Sequence, residues 1–212
     1  MRTAKGFFIY IYNIFRRIYH RWYRFFVTPR IPHDHNGPVL VNVGCGLQSG
    51  PEYINVDIVP NPNIHYVHDI RILDMFASES VDLLYASHVM EHIPRHELDG
   101  VITEWKRVLK KDGVLRISVP DFDNLLKIYT ASGNDINSIL AQLLGQEPPY
   151  NNHYSVWNWN FIQKFFVDRG FSSVRRWDPQ AAEHYTMHDR AERILTQGTL
   201  SIPLSLNVEA VK

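Results

Sequence analysis

A glycine turn and a later acid form the first pattern in this sequence that could bind a ligand. Gly44-Cys45-Gly46 directly follows the apolar run Val39–Val43, and Asp57 closes the next run of strand-forming residues. Glycine has no side chain, so a ligand can approach the backbone of such a turn closely. A carboxylate at the end of the following strand can accept hydrogen bonds from both hydroxyls of a ribose. Together the two features predict a site for a ribose-bearing ligand, whereas the turn alone would also fit an ordinary tight turn.

Further polar side chains stand where other predicted strands end. Asp69 follows the third strand, Ser87 and His88 follow the fourth, and Asp121 follows the fifth. In a parallel sheet, ligands bind beyond the carboxyl ends of the strands. We therefore expect these groups to converge with the glycine turn on one rim of the sheet.

A second chemical pattern is His88-x-x-Glu91-His92. In zinc peptidases with this order of residues, the two histidines bind the metal and the glutamate is the base. Those enzymes carry the motif on a full helix, but here His88 comes two residues after a predicted buried strand and Pro94 follows closely. We therefore assign no metal ligands and keep a zinc hydrolase only as an alternative.

Short apolar runs and one helical pattern define the elements that position these residues. The predicted strands are 39–43, 53–58, 64–67, 81–86 and 114–119. A helix is predicted over 95–110, where apolar residues recur at spacings of three and four and Gly113 follows as a stop signal. A strand, a helix and a strand in this order predict a right-handed crossover in a parallel sheet. The predicted fold is therefore α/β, with a doubly wound, mostly parallel sheet.

Residues 38–121 resemble the class I S-adenosylmethionine-dependent methyltransferases, particularly a small group found in polysaccharide and cell-surface glycan gene clusters. The segment 41–46 is similar to the first motif of that family, Asp57 to its ribose-binding acid and Asp69 to its adenine-edge acid. The resemblance implies a Rossmann-like sheet of seven strands whose last hairpin is antiparallel, with S-adenosylmethionine as cofactor. The cofactor-binding residues that it implies are Val43, Gly44, Cys45, Gly46, Asp57, Ile58, Asp69, Ile70, Ser87 and His88.

The segment after the glycine turn departs from the family pattern. Only residues 47–52 separate the turn from the second strand, too few for the helix that usually follows the first motif. We expect cofactor binding to survive, because the methionine part of the cofactor carries no phosphate that needs a helix dipole. The missing helix would leave sheet surface bare, and the aromatic N-terminal segment is available to cover it.

Residues 1–30 are predicted to form an amphipathic helix with a basic side and an aromatic-rich apolar side. Residues 1–33 carry seven basic side chains and no acidic one. Such a helix can lie in the headgroup region of an anionic membrane, or it can place its apolar side on the protein's own core. The uncharged stretch 6–15 is too short to cross a bilayer. We expect residues 31–37 to be a linker and residues 38–212 to be the methyltransferase domain.

The amino-acid composition limits the binding partners and the cellular compartment that we expect. Lys plus Arg and Asp plus Glu are balanced at 22 each, so we expect no nucleic acid to be held by phosphate contacts alone. A single cysteine, Cys45, excludes an internal disulfide and is typical of a reducing compartment. No small-residue cleavage site follows the N-terminal apolar stretch. We therefore expect a cytoplasmic protein, at the inner membrane face if residues 1–30 bind lipid.

The expected reaction is transfer of the cofactor's methyl group to a hydroxyl of a sugar or glycan precursor. A hydroxyl acceptor benefits from a side chain that takes its proton. The candidate catalytic residues are His88 or His153 as base and Asp121 as the orienting group, although Asp121 could instead only cap the helix after Pro120. The alternatives are a methyltransferase for another small molecule or for protein, a non-catalytic partner subunit with the same fold, and the zinc hydrolase. The sequence leaves the oligomeric state open.

Overall fold

The computed structural model describes residues 19, 22, 23, 26, 27, 29–32, 37–145 and 151–212. Most of the predicted helix and linker lie outside the described residues, so the domain boundaries at residues 30 and 37 stay predictions. Within the described ranges, no helix is long and apolar enough to cross a membrane.

Seven strands form one Rossmann-like sheet. The strands of the described chain are β1 (Leu40–Val43), β2 (Ile54–Asp57), β3 (Tyr66–Val67), β4 (Val81–Ser87), β5 (Leu109–Pro120), β6 (Ser173–Arg176), β7 (Ile194–Gln197), β8 (Leu200–Pro203) and β9 (Ser205–Val211). The sheet order is β3-β2-β1-β4-β5-β9-β6, and β7 and β8 pair separately as a hairpin. Strands β1 to β5 pair in parallel, while β9 runs antiparallel to both of its neighbours. This topology confirms the predicted fold.

Four α-helices accompany the strands in the described residues. They are α1 (Leu98–Val108), α2 (Phe122–Ala131), α3 (Leu140–Leu144) and α4 (Trp159–Val167). Helix α1 buries the apolar residues whose spacing predicted it, including Trp105. It ends before the predicted bound of 110, because Leu109 already has an extended backbone and begins β5. The buried side of α1 packs on the sheet together with Phe165 and Phe166 of α4.

The opposite face of the sheet has an unexpected cover. The first crossover, between β1 and β2, contains no helix, as the short spacing predicted. Trp177, Met187 and Ala191 pack there against side chains that β1 and β4 direct to this side. The segment 177–191 therefore supplies the apolar surface that a crossover helix would have supplied. The predicted cover by the N-terminal segment falls mostly outside the described residues and stays a prediction.

The β7–β8 hairpin was not predicted from the sequence. Its residues Leu195, Leu200 and Ile202 pack against a small core formed by Leu125 and Ile128 of α2 with neighbouring apolar residues. The chain passes from β8 almost directly into β9. The hairpin therefore fixes where β9 begins and places Ser205 at the rim of the sheet.

Candidate active site

A cavity of about 510 Å³ opens at the carboxyl ends of β1, β2 and β4. This is the position at which α/β sheets bind ligands. The predicted site residues that line it are Gly44, Gly46, Asp57, Ile58, Asp69, Ile70 and His88. Most of the cofactor-binding residues inferred from the sequence therefore meet in one cavity.

The glycine turn after β1 needs glycine at both ends. Gly44 and Gly46 have φ angles of +64° and +56°, in the left-handed region that other residues rarely adopt. A Cβ atom on Gly44 would lie 2.6 Å from Cγ2 of Val89 and would collide with it. At Gly46 a Cβ atom would meet no other atom within 4 Å. The backbone at Gly46 therefore stands open towards the cavity.

Asp57, at the end of β2, is tied to this turn. Its Oδ2 accepts a hydrogen bond from the Gly46 N–H over 2.7 Å, and its Oδ1 accepts one from Val59 N–H over 2.7 Å. Asn61 donates from Nδ2 to the Gly46 carbonyl and holds the other side of the turn. Burial raises the pKa of Asp57, and the backbone hydrogen bonds partly oppose that rise. The result is a buried carboxylate held in place at the cavity wall.

Asp69, beyond β3, is held by an arginine that the sequence analysis did not single out. Arg71 Nε lies 2.9 Å and 3.0 Å from the two carboxylate oxygens of Asp69, and its Nη1 lies 2.5 Å from Glu97 Oε2. The hydrogen bond with Arg71 is the main reason why the pKa of Asp69 lies below its usual value. Asp69 is therefore ionised over a wide pH range and presents a partly paired carboxylate to the cavity.

Three residues assigned to the cofactor do not line the cavity. Val43 is fully buried in β1, and Cys45 is buried beneath the turn, where burial strongly raises the pKa of its thiol. The Ser87 hydroxyl oxygen is buried and makes no hydrogen bond to the described residues. Val43 and Cys45 are thus placed to support the turn from below, and their assignment to the cofactor stays a prediction.

His88 stands at the end of β4 with a strained backbone. Its φ angle is +53°, which is unusual for a residue other than glycine. Nε2 lies 2.8 Å from Ser205 Oγ, and the Ser205 hydroxyl donates its only hydrogen to the Arg190 carbonyl. The shared hydrogen must therefore be on Nε2, which donates to Ser205. Nδ1 is then the basic nitrogen, and it lies 3.2 Å from Glu91 Oε1.

Glu91 is the negative centre of this part of the site. Its side chain is buried, in a short 3₁₀ helix at Met90–His92. Burial by itself raises the pKa of Glu91, but the neighbouring imidazoles of His88 and His92 together bring it below the usual value. The Glu91 carboxylate therefore lies within ion-pair distance of His88 Nδ1.

The other two candidate catalytic residues do not line the cavity. Asp121 accepts a hydrogen bond from Asp123 N–H over 3.1 Å as the N-cap of α2, and burial raises its pKa. This geometry favours the capping interpretation that the sequence left open. His153 borders a smaller cavity of about 20 Å³ that His88 also lines. Burial is the main cause that lowers the pKa of His153, so its imidazole is neutral at neutral pH.

The sequence analysis missed several residues of the cavity wall, among them Asn61, Arg71 and Tyr154. Arg71 follows Asp69 by two residues, so a pairing of opposite charges was visible in the sequence. Asn61 lies between two prolines, which indicates a turn but not a role in holding Gly46. Tyr154 comes from a distant part of the chain, and nothing in its local sequence marks it.

The sequence matches one protein-family model. Residues 42–117 match the model of a family described as a methyltransferase domain. This segment runs from β1 into β5 and contains the glycine turn, Asp57, Asp69 and His88. No curated protein matches the chain.

Solved structures share the fold. A SAM-dependent methyltransferase from Archaeoglobus fulgidus is 16% identical, with 92% of each chain covered and a TM-score of 0.51. One from Methanosarcina mazei is 16% identical, covering 82% of this chain and 92% of that chain, with a TM-score of 0.51. One from Thermotoga maritima, described as a possible histamine N-methyltransferase, is 14% identical with 83% of each chain covered and the same TM-score. At these identities the likeness establishes the fold. Residues 42–117 are therefore similar to a methyltransferase domain, and the chain has the Rossmann-like fold of SAM-dependent methyltransferases.

Proposed function

We propose that the enzyme transfers the methyl group of S-adenosylmethionine to a hydroxyl of a sugar or glycan precursor. The observation that carries the proposal is the pair of His88, which lines the cavity, and buried Glu91 behind it, with Nδ1 and Oε1 3.2 Å apart. A sugar hydroxyl has a pKa far above neutrality, so its methylation gains from a base that accepts the proton. The similarity of residues 38–121 to methyltransferases of glycan gene clusters supports the choice of acceptor.

The cavity residues fit the cofactor. Each carboxylate oxygen of Asp57 accepts one backbone hydrogen bond and keeps a further lone pair, which is the capacity that two ribose hydroxyls need. We assign the ribose to Asp57, the adenine edge to Asp69 and Ile70, and the methionine part to the open backbone at Gly46. When bound, S-adenosylmethionine supplies an electrophilic methyl group on a positively charged sulfur.

In this proposal, His88 and the residues of the cavity wall provide the protein's contribution to catalysis. His88 Nδ1 accepts the hydroxyl proton as the new carbon–oxygen bond forms, and Glu91 stabilises the resulting imidazolium. The apolar side chains of Val89 and Ile93 line the same cavity and make part of its wall apolar. Alignment of the acceptor with the methyl group provides the rest of the acceleration.

A labelling experiment tests the acceptor class. The purified enzyme and cofactor carrying a labelled methyl group are incubated with separated pools of sugar nucleotides, lipid-linked sugars and proteins, and the labelled product is identified by mass spectrometry. We expect a methyl ether on a sugar, with a His88→Asn variant as the control that binds cofactor but transfers about a hundredfold less label. Label on a nitrogen, on a carbon or in protein would replace this acceptor with another. Cofactor binding without transfer to any pool would favour the non-catalytic subunit.

We also propose that residues 1–30 hold the enzyme at an anionic membrane surface. Three residues of the predicted apolar side are described, and Tyr19, Trp22 and Phe26 are 62%, 65% and 74% exposed. Aromatic side chains on one side of a basic helix are typical of an interfacial helix. The cover of the sheet by residues 177–191 supports this choice, because this face already has an apolar cover without the N-terminal segment.

A further inference from the structure

Glu91, His92 and His153 come together from two distant parts of the chain. Each offers one possible ligand atom, and these atoms all lie within 4.8 Å of one another. Tyr154 N–H donates to the Glu91 carbonyl over 2.7 Å and joins the two segments, while His153 N–H donates to the Leu144 carbonyl over 3.1 Å and ties this stretch to α3. The two imidazole rings meet edge to face, with centroids 4.8 Å apart. The cluster is therefore built into the fold.

Both histidines present the same nitrogen for a ligand. His92 Nδ1 lies 3.0 Å from the Asn152 carbonyl oxygen, and His153 Nδ1 lies 2.9 Å from the Gln142 carbonyl oxygen. A carbonyl oxygen can only accept, so the hydrogen of each neutral ring is on Nδ1. Nε2 of each ring then carries a free lone pair. Metal-binding histidines are held in this way, with the other ring N–H donated to a backbone carbonyl.

Glu91 lies beside His88 but makes no aligned hydrogen bond to the described residues. Its side chain is only 1% exposed, and neither carboxylate oxygen makes a hydrogen bond within the described part of the chain. His88 Nδ1 is 3.2 Å from Oε1, but without the alignment of a hydrogen bond. A buried carboxylate is costly unless a cation or hydrogen-bond donors compensate it. The Glu91 oxygens lie beside Nε2 of His92 and Nε2 of His153, which both carry a free lone pair. A cation bound between these atoms would compensate the buried carboxylate.

We propose that Glu91, His92 and His153 bind a divalent transition-metal ion. Two imidazole nitrogens and one carboxylate oxygen suit Zn²⁺, Co²⁺, Fe²⁺ or Mn²⁺, whereas Mg²⁺ and Ca²⁺ prefer sites made of oxygen alone. Metal–nitrogen bonds of about 2.0–2.1 Å require ligand atoms about 3–4 Å apart, so the side chains draw together by about 1 Å on binding. Three protein ligands leave an open position for water or another ligand.

The proposed metal site lies beside the main cavity. His92 lines that cavity, and His88 borders both it and the smaller cavity near His153. The ligand set differs from the His88-x-x-Glu91-His92 pattern of the zinc hydrolase alternative, because His153 takes the place of His88. A His153 that binds a metal through Nε2 is no longer available as the base.

Metal titration of the full chain tests the site without reference to methyl transfer. The protein is dialysed against a chelator and titrated with Co²⁺, followed by visible absorption, and then with Zn²⁺ by calorimetry. We expect one equivalent of either metal, with Zn²⁺ displacing Co²⁺. Single His153→Ala and Glu91→Gln variants should each weaken binding by about tenfold or more. His96→Ala is the matched control, because this histidine is 82% exposed and lies outside the cluster, and it should bind as the unchanged protein does.

Three results would overturn the proposal. One is the absence of stoichiometric binding of Co²⁺ and Zn²⁺ by a folded protein. Another is unchanged affinity in folded His153→Ala. The third is loss of binding in His88→Asn with binding kept in His153→Ala, which would favour the His88-x-x-Glu91-His92 ligand set. If Glu91→Gln does not fold, His153→Gln serves instead, because His153 is only half-buried and Gln keeps a polar group towards Gln142.

Discussion

The carboxylate of Asp57 accepts a hydrogen bond from the backbone N–H of Gly46 over 2.7 Å. This bond joins the end of β2 to the turn after β1, so the acid and the open backbone of the turn keep a fixed separation. A second bond, from Val59 N–H, holds the other carboxylate oxygen. Asp57 therefore shapes the cavity in addition to offering acceptor atoms for a ribose.

Replacement of Asp57 separates these two roles. Asp57→Asn keeps the size of the side chain, removes the charge and keeps an acceptor for only one of the two backbone N–H groups. We expect it to weaken S-adenosylmethionine binding by about 1.5–3 kcal/mol, or roughly ten- to a hundredfold. Asp57→Ala should weaken binding at least as much and also lower the melting temperature, since two backbone donors lose their partner. Calorimetric titration measures the affinity, and Asp74→Ala, at an acid outside the cavity, is the control. Unchanged binding in folded Asp57→Asn would exclude the ribose assignment.

Cofactor binding should depend on pH through Asp57. Burial raises the pKa of this carboxyl above 3.8, so it gains a proton at a higher pH than an ordinary aspartate does. The ionised form accepts two ribose hydrogen bonds, so affinity is full above this pKa and falls as pH decreases through it. Asp69 does not mask the effect, because Arg71 keeps its pKa low. Dissociation constants measured from about pH 7 down to about pH 4 should show the fall, and Asp57→Asn should remove it.

The base assignment predicts a loss of turnover without a loss of cofactor binding. We expect His88→Asn to lower kcat by about a hundredfold or more and to leave cofactor affinity within about threefold. Asn is the chosen replacement because it tolerates the positive φ at this position and has no basic nitrogen. Asp121→Asn should turn over normally, since Asn caps a helix as well as Asp does. If the His88, His153 and Asp121 variants are all fully active, the proton goes to water or to the acceptor and the assignment is wrong.

The membrane proposal makes a prediction for a shortened chain. Removal of residues 1–27 leaves Arg30, whose carbonyl lies 3.2 Å from His65 Nε2. We expect this variant to lose pelleting with vesicles containing anionic lipid and to keep its melting temperature within a few degrees. Vesicles of zwitterionic lipid alone are the control, because the basic side needs negative charge. Equal pelleting of both chains would refute the role, and a large fall in melting temperature would show that the segment packs on the core.

Segment 177–191, which covers one face of the sheet, should contribute to the free energy of unfolding. Met187 is 6% exposed and its sulfur lies 3.1 Å from Asn42 Nδ2, so Met187→Ala leaves a cavity and removes a polar contact. We expect unfolding by denaturant to cost about 2–5 kcal/mol less than in the unchanged protein. Val167→Ala is the control, because Val167 is 54% exposed, and should change stability by less than about 1 kcal/mol. A cost below that limit for Met187→Ala would mean that segment 177–191 is only loosely attached.

The parts of the site that follow strand ends could be predicted from the sequence. A strand, a glycine turn and an acid are local patterns, because the period of the side chains and the backbone freedom of glycine act within a few residues. Parallel pairing then brings successive strand ends to one rim, and Gly44, Gly46, Asp57, Asp69 and His88 all line the same cavity. The absence of a helix from the first crossover could also be predicted, because residues 47–52 are too few to form one.

Only the tertiary structure decided which distant segments meet. Any apolar stretch could have covered the bare face of the sheet, and packing selected Trp177 and Met187. His153 and Glu91 lie close together although about sixty residues separate them in the sequence. Backbone hydrogen bonding between their segments accounts for this, and no local sequence pattern predicts it. Hydrophobic burial is non-directional, and contacts of high sequence separation depend on the whole fold, so the neighbours of a side chain cannot be read from its own stretch of chain.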